Sequence, residues 1–297
     1  MASVQDIKRR VKSVKNTSKI TKAMELVAAA KLRRAQTRIE SMRPYADRML
    51  ELMGVTAQAS SSVRGLPLLE RRLDVKTVAI VPLTGDRGLA GAFNAQVVRR
   101  ALQLERRLRG EGKEVRFIAV GKKGRSTLTF RGYELAGEFV GFTDAPQYSD
   151  AQSIAHRVAE LYTSGEVDSV VVVYNTFESA LVQRVAEQEV LPLPEQLLAK
   201  AEAEEHEDVR LRGDFIFEPE PEEILQRLLP VYLETELYRS LLESAASEQG
   251  ARMTAMRNAS KNAGELIDRL TLAMNRARQA EITQEILEVV AGSEALS

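Results

Sequence analysis

Two long stretches of the chain place apolar residues three and four apart, and a different pattern separates them. From residue 3 to about 59 a heptad fits. One seam position holds Ile7, Val14, Thr21, Ala28, Ala35, Met42 and Met49; the other holds Val11, Ser18, Glu25, Leu32, Ile39, Ala46 and Met53. Eleven of the fourteen are apolar, which predicts one helix about 85 Å long with a coiled-coil seam. "SSSVRG" at 60–65 ends it. From about 221 the same spacing returns, from Ile224 through Leu242, Met256 and Leu270 to Leu287 and Ala291, with sixteen of twenty positions apolar. Pro221 followed by Glu222 and Glu223 is a helix start, and Pro230 is expected to kink or delay it.

Residues 74–192 read differently. "VKTVAIVPL", "VRFIAVG" and "VDSVVVVYNTF" are short β-branched runs typical of buried strands, and "LVQRVAEQEVLPL" supplies a further one. Helical patterns at 94–109 and about 149–163 lie between them. Strands alternating with helices imply βαβ units and a largely parallel sheet. The expected fold class is therefore α/β: a long antiparallel two-helix coiled coil of N- and C-terminal helices, with an inserted Rossmann-like βαβ domain. The expected divisions are 1–60, 74–192, an acidic connector at 193–220, and 221–297.

The two seams differ in length. If both helices leave the insert together, the last 20 to 25 residues or so have no N-terminal partner. That overhang carries Ile282, Ile286, Leu287, Val289 and Val290. An apolar tip of this kind is an aggregation hazard in water, so another chain is expected around it.

Charge sharpens the picture. Lys+Arg and Asp+Glu both number 42, but they are segregated. Up to Arg48 there are 13 basic and 4 acidic residues; from Glu187 to Glu223 there are 3 basic and 13 acidic. Segregation points to specific electrostatic partners. With no Cys, thiol chemistry is excluded, and His156 and His206 cannot supply a metal cluster by themselves. No apolar run approaches a membrane span. The Arg-rich start reads as the beginning of the helix rather than as a transit peptide, because the helical pattern runs on unbroken.

"GDRGLAG" and "GKKGRST" look like phosphate loops. The first lacks the closing Lys-Ser/Thr and the dinucleotide spacing; the second has its Lys and Gly in the wrong order. Both read as structural turns, His156 as a non-catalytic helix residue, and "EAEEHED" as a solvated face. No catalytic set, cofactor site or metal cluster stands out. The basic helix lacks the aromatics a nucleic-acid binder would use and the bulky apolar face of a membrane helix. An acidic protein partner is the favoured reading. The rival readings are a nucleic-acid-binding coiled-coil arm and a small-molecule α/β enzyme with helical oligomerisation arms.

Several stretches resemble one family. "IKRRVKSVKNTSKITKAMELVAAAKLRRAQ" resembles the N-terminal helix of the gamma subunit of the rotary ATP synthase. "GDRGLAGAFN" resembles its loop after the first strand, where Ser is usual for Gly85 and Cys frequent for Ala90. "ESAASEQGARMTAMRNASKNAGELI" and "NRARQAEITQEILEVVAGSEAL" resemble its C-terminal helix and closing signature, with Ser293 where Ala is usual. The Cys-bearing regulatory insertion of the chloroplast form is not apparent.

The resemblance implies a central shaft within a ring of three alpha and three beta subunits, with a foot that sits with epsilon on the membrane c-ring. Ion flow, of protons or of sodium ions, turns the shaft and couples to ATP synthesis or hydrolysis. The chain would have no catalytic residues and no cofactor, and would meet the membrane only through the complex, at the cytoplasmic face of a bacterial plasma membrane. The resemblance marks Met24 and Arg252 as neighbouring coupling positions; an antiparallel register of 24 against 252 sets residue 7 against about 269. It also implies that Arg278 and Gln279 hydrogen-bond a beta-subunit loop, with Thr283 and Glu285 in the same signature.

Overall fold

A computed structural model of the chain describes residues 3–60, 65–180, 182–193 and 217–294, and the expected acidic connector lies largely outside them. The elements in order are α1 (Val4–Ala59), β1 (Thr77–Pro82), α2 (Phe93–Gly110), β2 (Glu114–Val120), α3 (Lys122–Phe130), β3 (Leu135–Phe139), α4 (Tyr148–Thr163), β4 (Ser169–Phe177), β5 (Gln183–Leu191) and α5 (Pro221–Glu294). The chain packs as two compact units: residues 30–251, and residues 1–29 with 252–297. The division cuts through both long helices rather than falling at their ends. Pro230 sits exposed inside α5 without interrupting it, so the expected delay does not occur.

Unit 30–251 is built on a five-stranded sheet of order β3-β2-β1-β4-β5. The first four strands are parallel, and β5 pairs antiparallel with β4. Side chains alternate across it as strand geometry demands. Val78, Ile80, Phe117 and Ala119 face α2 and α3, meeting Val97, Ala101, Leu104 and Leu128. Ala79, Val81, Ile118, Val120, Val170 and Val172 face the other way, onto Ile154, Val158 and Leu161 of α4.

That second face also receives the terminal helices. Met49 and Met53 of α1 join it, as do Leu225, Leu229, Leu233, Leu237 and Leu241 of α5. The sequence seam through Ile224, Leu228 and Val231 is only half-buried here. This stretch of α5 is covered on more than one side, so a single 3/4 stripe understates it. Two elements are absent from the sequence reading: β3, "LAGEF", whose Gly137 weakens the strand signal, and α3, which begins inside "GKKGRST".

A polar stitch holds the segment before β1 against the base of the sheet. Arg72 donates to Asp168 Oδ1 at 2.6 Å and to the Tyr162 carbonyl at 2.6 Å, with its guanidinium 5.2 Å from the Tyr162 ring centroid. Asp168 Oδ2 accepts the backbone N–H groups of Lys76 and Thr77, each at 2.8 Å. Burial alone would raise the Asp168 carboxyl; Arg72 and the two backbone donors outweigh it and hold it below its ordinary value of 3.8. A carboxyl depressed in the folded state contributes stability that is complete above its unfolded pKa and lost as pH falls through its folded one. Asp168→Asn should therefore lower stability at neutral pH by about 2–3 kcal/mol and flatten the dependence below pH about 4. Urea denaturation followed by circular dichroism at a series of pH values checks both; an unchanged acid limb would contradict the assignment.

Candidate functional site

In the unit formed by residues 1–29 and 252–297, two hydrogen bonds fix how α1 and α5 meet. Thr21 Oγ1 and Ser260 Oγ lie 2.7 Å apart, and Arg257 Nε donates to Glu25 Oε1 at 3.1 Å. The helices are antiparallel at this point. Three residues forward from Thr21 to Met24 match three back from Ser260 to Arg257, so Met24 sits across from Arg257. The expected register of 24 against 252 is therefore displaced by five residues, about one and a half turns. Motif likeness located the helices but not their axial offset. In a seam rich in small residues, polar pairs such as Thr21–Ser260 set the offset.

The expected seam is buried on α1 but not throughout α5, where Leu266 and Ala273 are exposed. Ile7, Val11, Thr21, Glu25 and Ala28 are buried, and Val14 and Ser18 half-buried. Glu25 looks like a flaw in the sequence, yet it is satisfied: Lys22 donates to Oε2 at 3.0 Å, and Arg257 reaches Oε1. Hydrogen bonds from Lys22 and then Arg257 hold its carboxyl below its ordinary value.

The same register makes Ala277 the partner of Val4, the first residue of α1. Ala277 is half-buried, and every side chain from Arg278 to Ala291 is exposed. The tip residues Ile282, Ile286, Leu287, Val289 and Val290 are 45% to 72% exposed. Arg278, Gln279, Thr283 and Glu285 are exposed on the same segment, with the Thr283 hydroxyl donating to the Gln279 carbonyl at 2.9 Å. Met24 is half-buried and Arg252 buried.

The outward face of α1 carries Lys8, Arg9, Arg10, Lys12, Lys15 and Lys19, all exposed. It also carries Ile20, Leu26 and Val27, each more than half exposed. None of these three is among the expected contacts. Their signal was available: large apolar residues off the heptad seam on an otherwise basic face.

In unit 30–251 the loops at the carboxyl ends of the strands are committed to structure. Ligands in open α/β sheets bind where strand order reverses, here between β1 and β4. Helix α5 occupies that crevice. Ser244 Oγ reaches the Leu83 carbonyl at 3.5 Å, and Ser247 Oγ donates to the Asn175 carbonyl at 3.1 Å. Gly85 lies so close to the Glu248 carboxylate that a Cβ would approach it to 2.7 Å.

The donors a phosphate would use at the start of α3 are also taken. Lys122 N–H donates to Asp86, Lys123 N–H to the Gly85 carbonyl, and Gly124 N–H to Thr84 Oγ1. Asp86 further accepts from the backbone of Gly141 and Thr143 and from the Thr143 hydroxyl. Burial would raise the Asp86 carboxyl, but these bonds overcome it and keep it low. Asp144, next along, joins Lys31 of α1 to Gln249 of α5. Among the described residues no group of three His, Asp or Glu side chains could hold a metal ion, and no helix is long and apolar enough to cross a membrane.

A family model described as ATP synthase matches residues 3–296. ATP synthase gamma chains of Rubrobacter xylanophilus and Pelotomaculum thermopropionicum are each 46% identical to this chain over its whole length, covering 99% and 100% of their own. This chain belongs to the ATP synthase gamma-chain family. Solved structures share its fold. A chain in the central stalk and c-ring of the Tetrahymena thermophila mitochondrial ATP synthase is 30% identical, with a TM-score of 0.58 over 81% of this chain and 99% of that one. A chain in a Euglena gracilis assembly of OSCP, F1 and c-ring shares the fold at 21% identity, with a TM-score of 0.67 over 99% of this chain and 94% of that one. This gamma-family fold is thus a mixed α/β sheet with long N- and C-terminal helices.

Proposed function

We propose that this chain is the central rotor subunit of an ATP synthase. Its terminal helices act as a coiled-coil shaft, and its Rossmann-like insert is the foot on a membrane c-ring beside an epsilon subunit. The shaft turns inside a ring of alpha and beta subunits and carries ion-driven rotation to their catalytic sites. The chain supplies no catalytic residue. Its place is the cytoplasmic face of a bacterial plasma membrane, reached through the complex.

The observation that carries this reading is the apolar tip after Ala277, exposed on a chain related to gamma chains over its full length. A helix tip that exposes Ile and Val needs a surrounding sleeve. Apolar contacts are non-directional, so a tip held by them can turn in place. The basic collar suits acidic loops on the ring, and exposed ion pairs are weak and screened, so they exchange as the shaft moves on. Because the faces of the shaft differ, each orientation favours a different subunit state, which is the condition for driving a conformational cycle. Met24, Arg252, Arg278, Gln279, Thr283 and Glu285 are the proposed coupling contacts.

The test is reconstitution with alpha and beta subunits and a probe on the foot. ATP-driven stepwise rotation is expected, and its absence in an assembled, ATP-hydrolysing complex would overturn the proposal.

A further inference from the structure

Unit 30–251 contains a groove of about 660 Å³ that none of the proposed coupling contacts line. Its walls include Met42 and Tyr45 from α1, Pro146 and Tyr148 from the entry to α4, and Tyr238 from α5, with Arg38 beside them. The groove is open to solvent, and aromatic side chains with a few polar groups line it.

Two of the three rings are held in place. Tyr148 and Tyr238 meet edge to face, with centroids 5.6 Å apart and planes at 82°. The Tyr148 hydroxyl donates to Glu234 Oε2 at 2.8 Å, and Gln152 donates to the same oxygen at 3.1 Å. The nearby carboxylate is thereby engaged with its own donors. Tyr45 is different: it is 54% exposed. Arg38 is exposed and donates to the Pro146 carbonyl at 3.4 Å, which leaves most of its five N–H donors uncommitted. The site therefore offers a ring-binding slot and a cation beside it.

We propose that this groove binds a small planar aromatic carboxylate, with its ring against Tyr45 and the Tyr148–Tyr238 pair and its carboxylate on Arg38. Aromatic pairs prefer the offset and edge-to-face arrangements that three rings from different helices allow. Guanidinium matches carboxylate in planar two-point geometry. The inference stands apart from the rotor reading, since it rests on the groove alone.

The probe is 2-naphthoate, with 2-naphthylmethanol as its uncharged counterpart, titrated into the full-length chain. With seven Tyr and no Trp in the sequence, tyrosine emission reports binding without tryptophan background. Saturable binding of 2-naphthoate with a Kd on the order of 0.1–1 mM is expected, and weaker binding of the alcohol. Arg38→Gln should weaken the acid about fivefold and leave the alcohol unchanged. Tyr45→Ala should weaken both by up to about tenfold. Arg34→Gln, an exposed arginine one turn away, should change neither. Both Arg38 and Tyr45 are exposed, so the variants should keep the parent circular dichroism. Three results would overturn the proposal: no saturable binding of the acid, equal affinity for acid and alcohol, or equal losses in Arg34→Gln and Arg38→Gln. A groove that excludes both probes but is covered when the chain self-associates in sedimentation would be a docking face, and that too would overturn it.

Discussion

Gly121→Ala should destabilise unit 30–251 by about 3–5 kcal/mol, while Gly112→Ala should cost about 1–2 kcal/mol. Both glycines have positive φ, 88° at Gly121 and 80° at Gly112. A Cβ at Gly112 would meet nothing within 4 Å, so only the backbone strain applies. At Gly121 it would lie 2.0 Å from the Thr84 carbonyl oxygen and 2.6 Å from its carbon. These are backbone atoms of the chain leaving β1, and they cannot swing aside. Thr84 is fixed besides by its hydroxyl donating to the Val120 carbonyl at 2.7 Å and accepting from Gly124 N–H at 2.8 Å. Gly121 thus lets α3 start hard against the end of β1. Against a total stability of about 5–15 kcal/mol, the loss is a large share. Urea titrations of the two variants beside the parent measure it. Equal shifts for the two glycines would show that the close approach to Thr84 does not matter.

Such a contact could not be read from the chain. "GKKGRST" announces a turn, and its two glycines suggest a backbone that must come close to something, but not to what. The strands were more legible. "TVAIVP" and "SVVVVYNTF" lie in the middle of the sheet, covered on both faces, and their unbroken β-branched runs show it. "LAGEF" is the edge strand β3, where burial is slight, and hydrophobic pattern has little to record there. On α1 the heptad located the buried stripe near its start, where Ile7, Val11, Thr21, Glu25 and Ala28 are buried. On α5 the single 3/4 stripe missed Leu225, Leu229 and Leu233, because the sheet covers a second side. Of the proposed contact residues, the exposure of the tip followed from unequal seam lengths alone. The register did not, since it rests on Thr21–Ser260 and Glu25–Arg257, two polar pairs that no apolar pattern encodes.

Deleting residues 282–297 should leave the isolated chain as stable as the parent, within about 2 °C in Tm, yet cripple the assembled motor. The first half follows from exposure: from Arg278 to Ala291 no side chain is buried, so the described part of this segment adds nothing to either unit's core. The second half follows from what a sleeve would gain. Covering a large aliphatic side chain contributes about 1.5–3 kcal/mol. Ile282, Ile286, Leu287, Val289 and Val290 begin 45% to 72% exposed, so their joint burial is worth several kcal/mol and their removal about a hundredfold or more in assembly. Replacing Ile282, Ile286 and Leu287 together by Ser separates bearing from length: the helix still reaches its position, but the apolar surface is gone. Rotation measured under load should then show reduced torque or early detachment. Glu285→Gln on the same segment tests charge rather than apolar contact and should have a smaller effect. If the triple Ser variant assembles and turns against load like the parent, the tip is not held by apolar contact, and the directional groups Arg278 and Gln279 must hold it instead.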